Sequence, residues 1–326
     1  MNVLVTGGAG YVGSVVVEIL LREQFNVVVV DSLVEGHRAA VPDSVPFIET
    51  DIGNHDVMKK AFAEHKIDAV IHMAGETLVS KSMTHPEDYF LNNVSKGIEL
   101  LEAMRESGVK RIIFSSTAAL FGNPEFIPIT EEHPTNPINA YGRSKLMFEQ
   151  MLEWYHKAHS LNYVCLRYFN AAGATAEHGE HHPVETHLIP IVLQTALGQR
   201  GHVDIFGTDY DTGDGTCIRD YIHVEDLAMA HVEALRRMDN IGPQKLNLGN
   251  GEGYSVKEVI EAAREITGQP IPAREVERRP GDPAVLVASS ERTHALLGLK
   301  PMYPEIRQIV EAAWKWHSGN PEGYKD

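Results

Sequence analysis

The stretch Gly7-Gly8-Ala9-Gly10-Tyr11-Val12-Gly13 lies between the apolar run Val3 to Thr6 and a helical pattern running from Ser14 to Arg22. A strand that turns through glycines straight into a helix lets the backbone approach an anion closely. The helix N-terminus then supplies unpaired N–H groups and the positive end of its dipole. The next apolar run, Val27 to Val30, ends in Asp31. An acid there suits the hydroxyls of an adenosine ribose and repels a 2′-phosphate. The predicted site is therefore one for NAD, with Gly7, Gly10, Tyr11, Val12, Gly13 and Asp31 around it, although the cations His37 and Arg38 follow closely and leave NADP as the alternative.

Outward from this loop, apolar runs alternate with helical patterns: Val57 to Glu64, Ala69 to Met73, Asn92 to Ser107, Arg111 to Ser115. Strands apolar on both faces, alternating with helices, predict an α/β fold with a doubly wound parallel sheet. After Asn170 the pattern loosens into Gly-, His-, Asp- and Pro-rich stretches, notably 174–185 and 207–215, and helical periodicity resumes at Ser255 to Thr267. This second part reads as a smaller mixed α/β lobe on the C-terminal side of the sheet, where open α/β sheets bind ligands.

Composition narrows the class. With 326 residues, 43% hydrophobic and 23% charged, the chain has enough material for a full core. No apolar run approaches the ~20 residues of a membrane-spanning helix. A net charge of -16 argues against nucleic acid and membrane surfaces as partners. The first residues enter a strand at once and Cys165 and Cys217 lack any disulfide or metal spacing, so a cytoplasmic protein is expected.

Two further segments fit the dinucleotide site. Thr50-Asp51-Ile52 would flank the adenine, with Asp51 accepting from its amine or serving only as a loop cap. His72-Met73-Ala74-Gly75 ends a strand in small residues that admit a dinucleotide.

Chemistry enters at Tyr141-Gly142-Arg143-Ser144-Lys145. Residues four apart share a helix face, so phenol and ammonium can converge on one ligand. The preceding strand, Arg111 to Ser115, runs on into Ser116 and Thr117 and delivers a hydroxyl to the sheet edge. Deprotonating a sugar hydroxyl near neutral pH needs a strong base, yet a free tyrosine, pKa ~10, is almost wholly protonated. An ammonium ~6 Å away, at an effective dielectric of ~20, would favour the phenolate by ~3 kcal/mol, lowering the pKa by about two. Tyr141 is thus the expected acid/base, Lys145 its electrostatic partner and Thr117 a hydrogen-bond donor to the substrate oxygen.

With these motifs the sequence resembles the extended short-chain dehydrogenase/reductases, in their UDP-glucose 4-epimerase branch, over essentially the whole chain. The resemblance extends through 166–170 (Leu-Arg-Tyr-Phe-Asn), 186–190 (Thr-His-Leu-Ile-Pro), 205–210 and 214–224, and Arg279-Pro280-Gly281-Asp282. It implies that Ser32, Leu33, Ile52, Met73, Ala74, Gly75, Thr77, Asn92, Ser115 and Tyr168 also line the NAD site. It implies too that Asn170, His187, Leu188 and Ile205 face a UDP-hexose, with Phe206 near the uracil, Arg219 and Arg279 on the diphosphate and Asp282 on the uridine ribose. Arginine forks suit diphosphate oxygens, though either arginine could instead be a structural ion-pair partner.

The implied organisation is an NAD-binding domain at 1–169 and 222–249 and a UDP-sugar lobe at 170–221 and 250–326. The implied reaction begins with Tyr141 taking the 4-hydroxyl proton while the C4 hydride passes to NAD. The 4-ketose then turns over and takes the hydride on its other face. Departures occur at Thr117, where many relatives have serine, and at Thr77, where many have lysine. Leu286 stands at a position that in the family influences sugar-pocket size, and the absence of a bulky aromatic there raises turnover of N-acetylated UDP-hexoses as an expectation.

Ala118-Ala119 after Thr117 disfavours a sugar-nucleotide 4,6-dehydratase, which places an Asp-Glu pair there. A non-catalytic NAD sensor would need no Tyr141 or Lys145. His178, His181, His182 and His187 are read as a solvated polar loop rather than a metal site. Apolar stripes on 92–107 and 141–159 predict a homodimer, with intramolecular packing as the alternative.

Overall fold

The computed structural model describes residues 1–279 and 282–325. In chain order its strands are β1 (Asn2–Thr6), β2 (Asn26–Asp31), β3 (Phe47–Glu49), β4 (Ala69–His72), β5 (Arg111–Thr117), β6 (Asn162–Tyr168), β7 (Asn170–Ala172), β8 (Val203–Phe206), β9 (Ile218–His223), β10 (Gln244–Leu248), β11 (Gly253–Ser255), β12 (Ala273–Val276) and β13 (Val285–Leu286). The helices are α1 (Tyr11–Arg22), α2 (His55–His65), α3 (Val79–Ser82), α4 (Pro86–Phe90), α5 (Lys96–Glu106), α6 (Ala140–His159), α7 (Leu188–Ala196), α8 (Val224–Ile241), α9 (Val256–Thr267), α10 (Glu291–Leu297) and α11 (Ile306–Gly319).

Seven strands form one sheet in the order β10-β6-β5-β4-β1-β2-β3, and every pairing in it is parallel. The central strands are apolar on both faces because both faces are covered. One layer joins Val3, Val5, Ile71 and Val164 to α1 and α8, and the other joins Leu4, Val70, Ile112 and Phe114 to α2, α5 and α6. The chain leaves β1 in one direction toward β2 and in the other toward β4, so a crevice opens between the C-terminal ends of β1 and β4. The glycine loop lies at that crevice.

A second core, built from Ile189, Val192, Ile205, Tyr221, Val259, Ile309 and Val310, joins α7, α9 and α11 to β8 and β9. Here β9 pairs with β7, β11 and β13, while β8 pairs with β12. The doubly wound sheet with a smaller mixed lobe is as predicted. Two boundaries differ. Helix α1 begins at Tyr11, so the last glycine of the loop is already helical. The stretch predicted as a single helix from Asn92 begins as a π-helical turn, Leu91–Ser95, before α5. Among the described residues no helix is long and apolar enough to cross a membrane.

Candidate active site

The glycine loop is shaped by close backbone approach. Gly7 has φ +70°, and a Cβ on it would lie 2.6 Å from the Ala74 nitrogen; one on Gly13 would lie 2.0 Å from the Gly7 carbonyl oxygen. At Gly10 the nearest atom to such a Cβ is 3.5 Å away, so the outer side of the loop stays open. Asp31, at the end of β2, accepts from Ala9 N and Leu33 N, both at 2.9 Å, leaving lone pairs on both oxygens for ribose hydroxyls. Ser32 is exposed beside it and Leu33 half-buried. Arg38 is committed elsewhere, donating to Val41 O at 2.7 Å and lying over the Phe47 ring, and His37 stacks on His181 and Tyr324. An open glycine cradle facing an acid, with the nearby cations turned to other partners, fits NAD.

On the far side, Asp51 accepts from Gly53 N at 2.8 Å and pairs with Lys96, which is the loop-cap reading of that residue. Ile52 is buried, Met73 and Ala74 are half-buried, and Gly75 and Thr77 are exposed.

Helix α6 is capped by Asn139, whose side chain accepts from Gly142 N at 2.8 Å, and this sets Tyr141 in the first turn. Both Tyr141 and Lys145 are buried, as is Thr117 at the end of β5. The three sidechains meet at the C-terminal edge of the sheet. Burial raises the Tyr141 pKa, and a hydrogen bond with the Thr117 hydroxyl opposes that rise. The expected lowering by Lys145 does not emerge. Its ammonium donates to Ser115 O at 3.0 Å and lies over the Phe114 ring, and its own pKa is pushed down to about 8 by burial. The Thr117 hydroxyl thus favours the phenolate. Tyr168 lies close by, and the Ser115 hydroxyl beneath it is 2.9 Å from His231 Nε2.

The second lobe contributes the outer wall. Asn170 Nδ2 donates to Asp220 O at 2.9 Å. The Arg279 guanidinium lies 3.9 Å from the centroid of Phe206, which follows Ile205 on β8. Arg219 forms an ion pair with Asp282, so the structural-partner reading of that arginine is realised. Leu286 packs with Ala118, Leu120 and Leu146 directly behind Thr117. His187 caps α7 and Leu188 begins it. Pro280 and Gly281 of the Arg279–Asp282 segment lie outside the described residues.

The model of the NAD dependent epimerase/dehydratase family matches residues 3–249. This chain belongs to that family. It is 53% identical to the UDP-glucose 4-epimerase of Halalkalibacterium halodurans, with 99% of this chain and 98% of that protein aligned. It is 50% identical to the UDP-glucose 4-epimerase of Streptococcus mutans over 100% and 99% of the two chains. A crystal structure of a UDP-glucose 4-epimerase superposes with TM-score 0.97 at 49% identity, covering 100% of both chains. The Bifidobacterium longum UDP-glucose 4-epimerase, solved in complex with NAD+ and UDP, superposes with TM-score 0.94 at 39% identity, covering 99% and 100%.

Within this epimerase/dehydratase scaffold the structure brings in residues that the sequence reading did not single out. Asn92 is half-buried, whereas its neighbour Asn93 is buried: Oδ1 accepts from Glu76 N at 2.8 Å and Nδ2 donates to Ser144 Oγ at 3.0 Å. Asn93 therefore braces the Gly75–Glu76 turn against the first turns of α6. Asp220, fully buried on β9, accepts from Asn250 N, Gly251 N and Ala288 N at 2.7–3.1 Å and ties β9 to the segments before β11 and after β13.

The expectation of a solvated histidine loop is overturned. His178 is buried, with Nδ1 2.7 Å from Glu18 Oε2 and Nε2 3.0 Å from Ala40 O. Glu180 and Glu185 are buried as well, and His187 Nδ1 lies 2.8 Å from Glu180 and 3.1 Å from Glu185. The loop is held from outside, by Trp316 against Gly179 and by Tyr324 on the Gly179 backbone, which no local reading of 174–185 could supply.

Proposed function

We propose that the chain interconverts UDP-glucose and UDP-galactose at C4 through a 4-keto intermediate. The observation that carries this reading is the burial of Tyr141, Lys145 and Thr117 at the C-terminal edge of the sheet, beside an open glycine cradle. NAD, when bound, supplies a reversible acceptor for the C4 hydride, and the residues that would hold it are the loop from Gly7 to Gly13, Asp31 to Leu33, Asp51 and Ile52, Met73 to Gly75, Thr77, Asn92, Ser115, Lys145 and Tyr168.

Tyr141 takes the proton of the 4-hydroxyl, and Thr117 hydrogen-bonds the oxygen that loses it. Support for the Tyr141 oxygen matters too, because a buried phenolate is disfavoured unless donors or a nearby positive charge stabilise it. Proton and hydride both return to the same sugar, so the reaction needs no external reductant. Turning the ketose over requires a firm hold on UDP and a loose one on the hexose. Asn170, His187, Leu188, Ile205, Phe206, Arg219, Arg279 and Asp282 take the nucleotide end, with Arg219 keeping Asp282 on one edge of its fork, and Leu286 bounds the sugar pocket.

The same reading divides the chain into an NAD-binding domain, 1–169 with 222–249, and a UDP-sugar lobe, 170–221 with 250–326. Exposed Leu91, Ile98 and Trp154 on the α5 and α6 side favour a homodimer through those helices. Two free, buried cysteines favour a reducing cytoplasm. The test is to purify the protein without added cofactor, denature it, measure released NAD, and assay UDP-galactose conversion. Stoichiometric NAD with turnover supports the reading; conversion that depends wholly on added NAD and leaves NADH behind refutes it.

A further inference from the structure

Residues 180–187 contain the unit Glu-x-His twice, Glu180-His181-His182 and Glu185-Thr186-His187. The fold turns these two units toward each other. One nitrogen from each of His182 and His187 and one oxygen from each of Glu180 and Glu185 lie within 4.8 Å of one another. The shortest separations are 2.8 Å for His187 Nδ1 to Glu180 Oε1, 3.1 Å for His187 Nδ1 to Glu185 Oε1 and 3.3 Å for His182 Nε2 to Glu180 Oε1. Donors bound at ~2.0–2.1 Å around a tetrahedral ion stand ~3.3 Å apart, so a small readjustment, lengthening the shortest of these separations and closing the longest, encloses one ion.

We propose that Glu180, His182, Glu185 and His187 form a binding site for one divalent transition-metal ion, zinc first, that pins the 174–187 loop over the dinucleotide cradle. Three observations support it. The carboxylates of Glu180 and Glu185 have side chains only 5% and 3% exposed, so their charge must be met locally. Imidazoles meet it, and no lysine or arginine lies within ion-pair distance of either carboxylate among the described residues.

The donor set is the third. Two nitrogens and two oxygens suit zinc, and equally cobalt(II), while calcium and magnesium prefer oxygen alone. The supporting contacts are also in place. Glu185 Oε1 accepts from Thr186 N and His187 N, both at 2.8 Å, which fixes the carboxylate. The His187 side chain is half-exposed, which gives an entry path. The His182 ring stands edge-on to Tyr11, 6.4 Å between centroids, and Tyr11 OH donates to Gly173 O at 2.7 Å. An ion here would thus clamp the loop before α7 to the first turn of α1. The site shares His187 with the proposed nucleotide end, but metal binding is read out without turnover.

The test is equilibrium dialysis of the NAD-containing enzyme, first stripped with a chelator, against zinc chloride, with metal counted by mass spectrometry. About one zinc per chain is expected. In His182→Gln and in Glu185→Gln, which keeps the acceptor for the two backbone N–H groups, affinity should fall at least ~10-fold. Cobalt(II) added to the unmodified enzyme should give the strong visible bands of a tetrahedral site, a readout that stands even if a variant fails to fold. Zinc well below one per chain, cobalt showing only the weak bands of its aqua ion, or undiminished zinc in both folded variants would overturn the proposal and leave a hydrogen-bonded Glu–His network.

Discussion

Arg167 and Glu149 form a buried two-pronged ion pair, with Nε to Oε1 at 3.0 Å and Nη2 to Oε2 at 2.6 Å. Ser116 Oγ donates to the same Oε1 at 2.6 Å. The pair therefore locks α6 to β5 and β6 one helical turn beyond Lys145, and so sets the register in which Tyr141 meets Thr117. Removing one partner leaves an uncompensated buried charge. Arg167→Met should destabilise by about 3–5 kcal/mol, and adding Glu149→Leu should recover much of it. Urea midpoints at constant slope check this; an Arg167→Met midpoint equal to wild type would contradict it.

Tyr141→Phe should lower kcat by about 10²–10⁴ while NAD stays bound, because the phenol acts on the sugar proton and not on cofactor retention. Thr117→Ser should keep most of the activity and Thr117→Ala should lose it, since the hydroxyl rather than the methyl supports the phenolate. Steady-state assays with NAD released from each purified variant separate these outcomes.

The glycines of the loop should respond differently to one added methyl. At Gly13 the Cβ would collide with the Gly7 carbonyl, so Gly13→Ala should cost the fold or NAD entirely. At Gly10 it meets nothing closer than 3.5 Å within the protein, so Gly10→Ala should keep its melting temperature when stripped of NAD yet hold NAD less tightly. Thermal melts with and without NAD read both effects.

Burial pushes the Asp220 carboxyl up to about 7, against the pull of three backbone N–H donors. Between the ordinary carboxylate pKa near 4 and about 7, the native state then binds more protons at this residue than the unfolded chain does. This contribution to stability is complete below pH ~4 and is lost as pH rises through about 7. Asp220→Asn, though less stable overall, should lack that component. The difference in urea midpoint between wild type and Asp220→Asn should therefore shrink from pH 5 to pH 7; a constant or growing difference would refute the assignment.

Much of this was legible in the sequence because the signals were local. The glycine loop, Asp31, and the apolar strands from β1 to β6 each announce themselves within a few residues, and Tyr141 and Lys145 are one helical turn apart. Where the reading failed, the deciding contact came from far along the chain. The histidine loop is buried by Trp316 and Tyr324, more than a hundred residues away in sequence. Lys145 also donates to the Ser115 carbonyl, a contact that spacing along α6 cannot express. Asn93, held to Glu76 and Ser144, lies in a π-helical turn that helical periodicity could not announce.

In the proposed reaction one hydride leaves C4 and returns to the same carbon within a single bound sugar. UDP-galactose carrying deuterium at C4 should give UDP-glucose that keeps the deuterium at C4 when the reaction runs in ordinary water with no added nucleotide. Loss of the label to solvent would contradict the account.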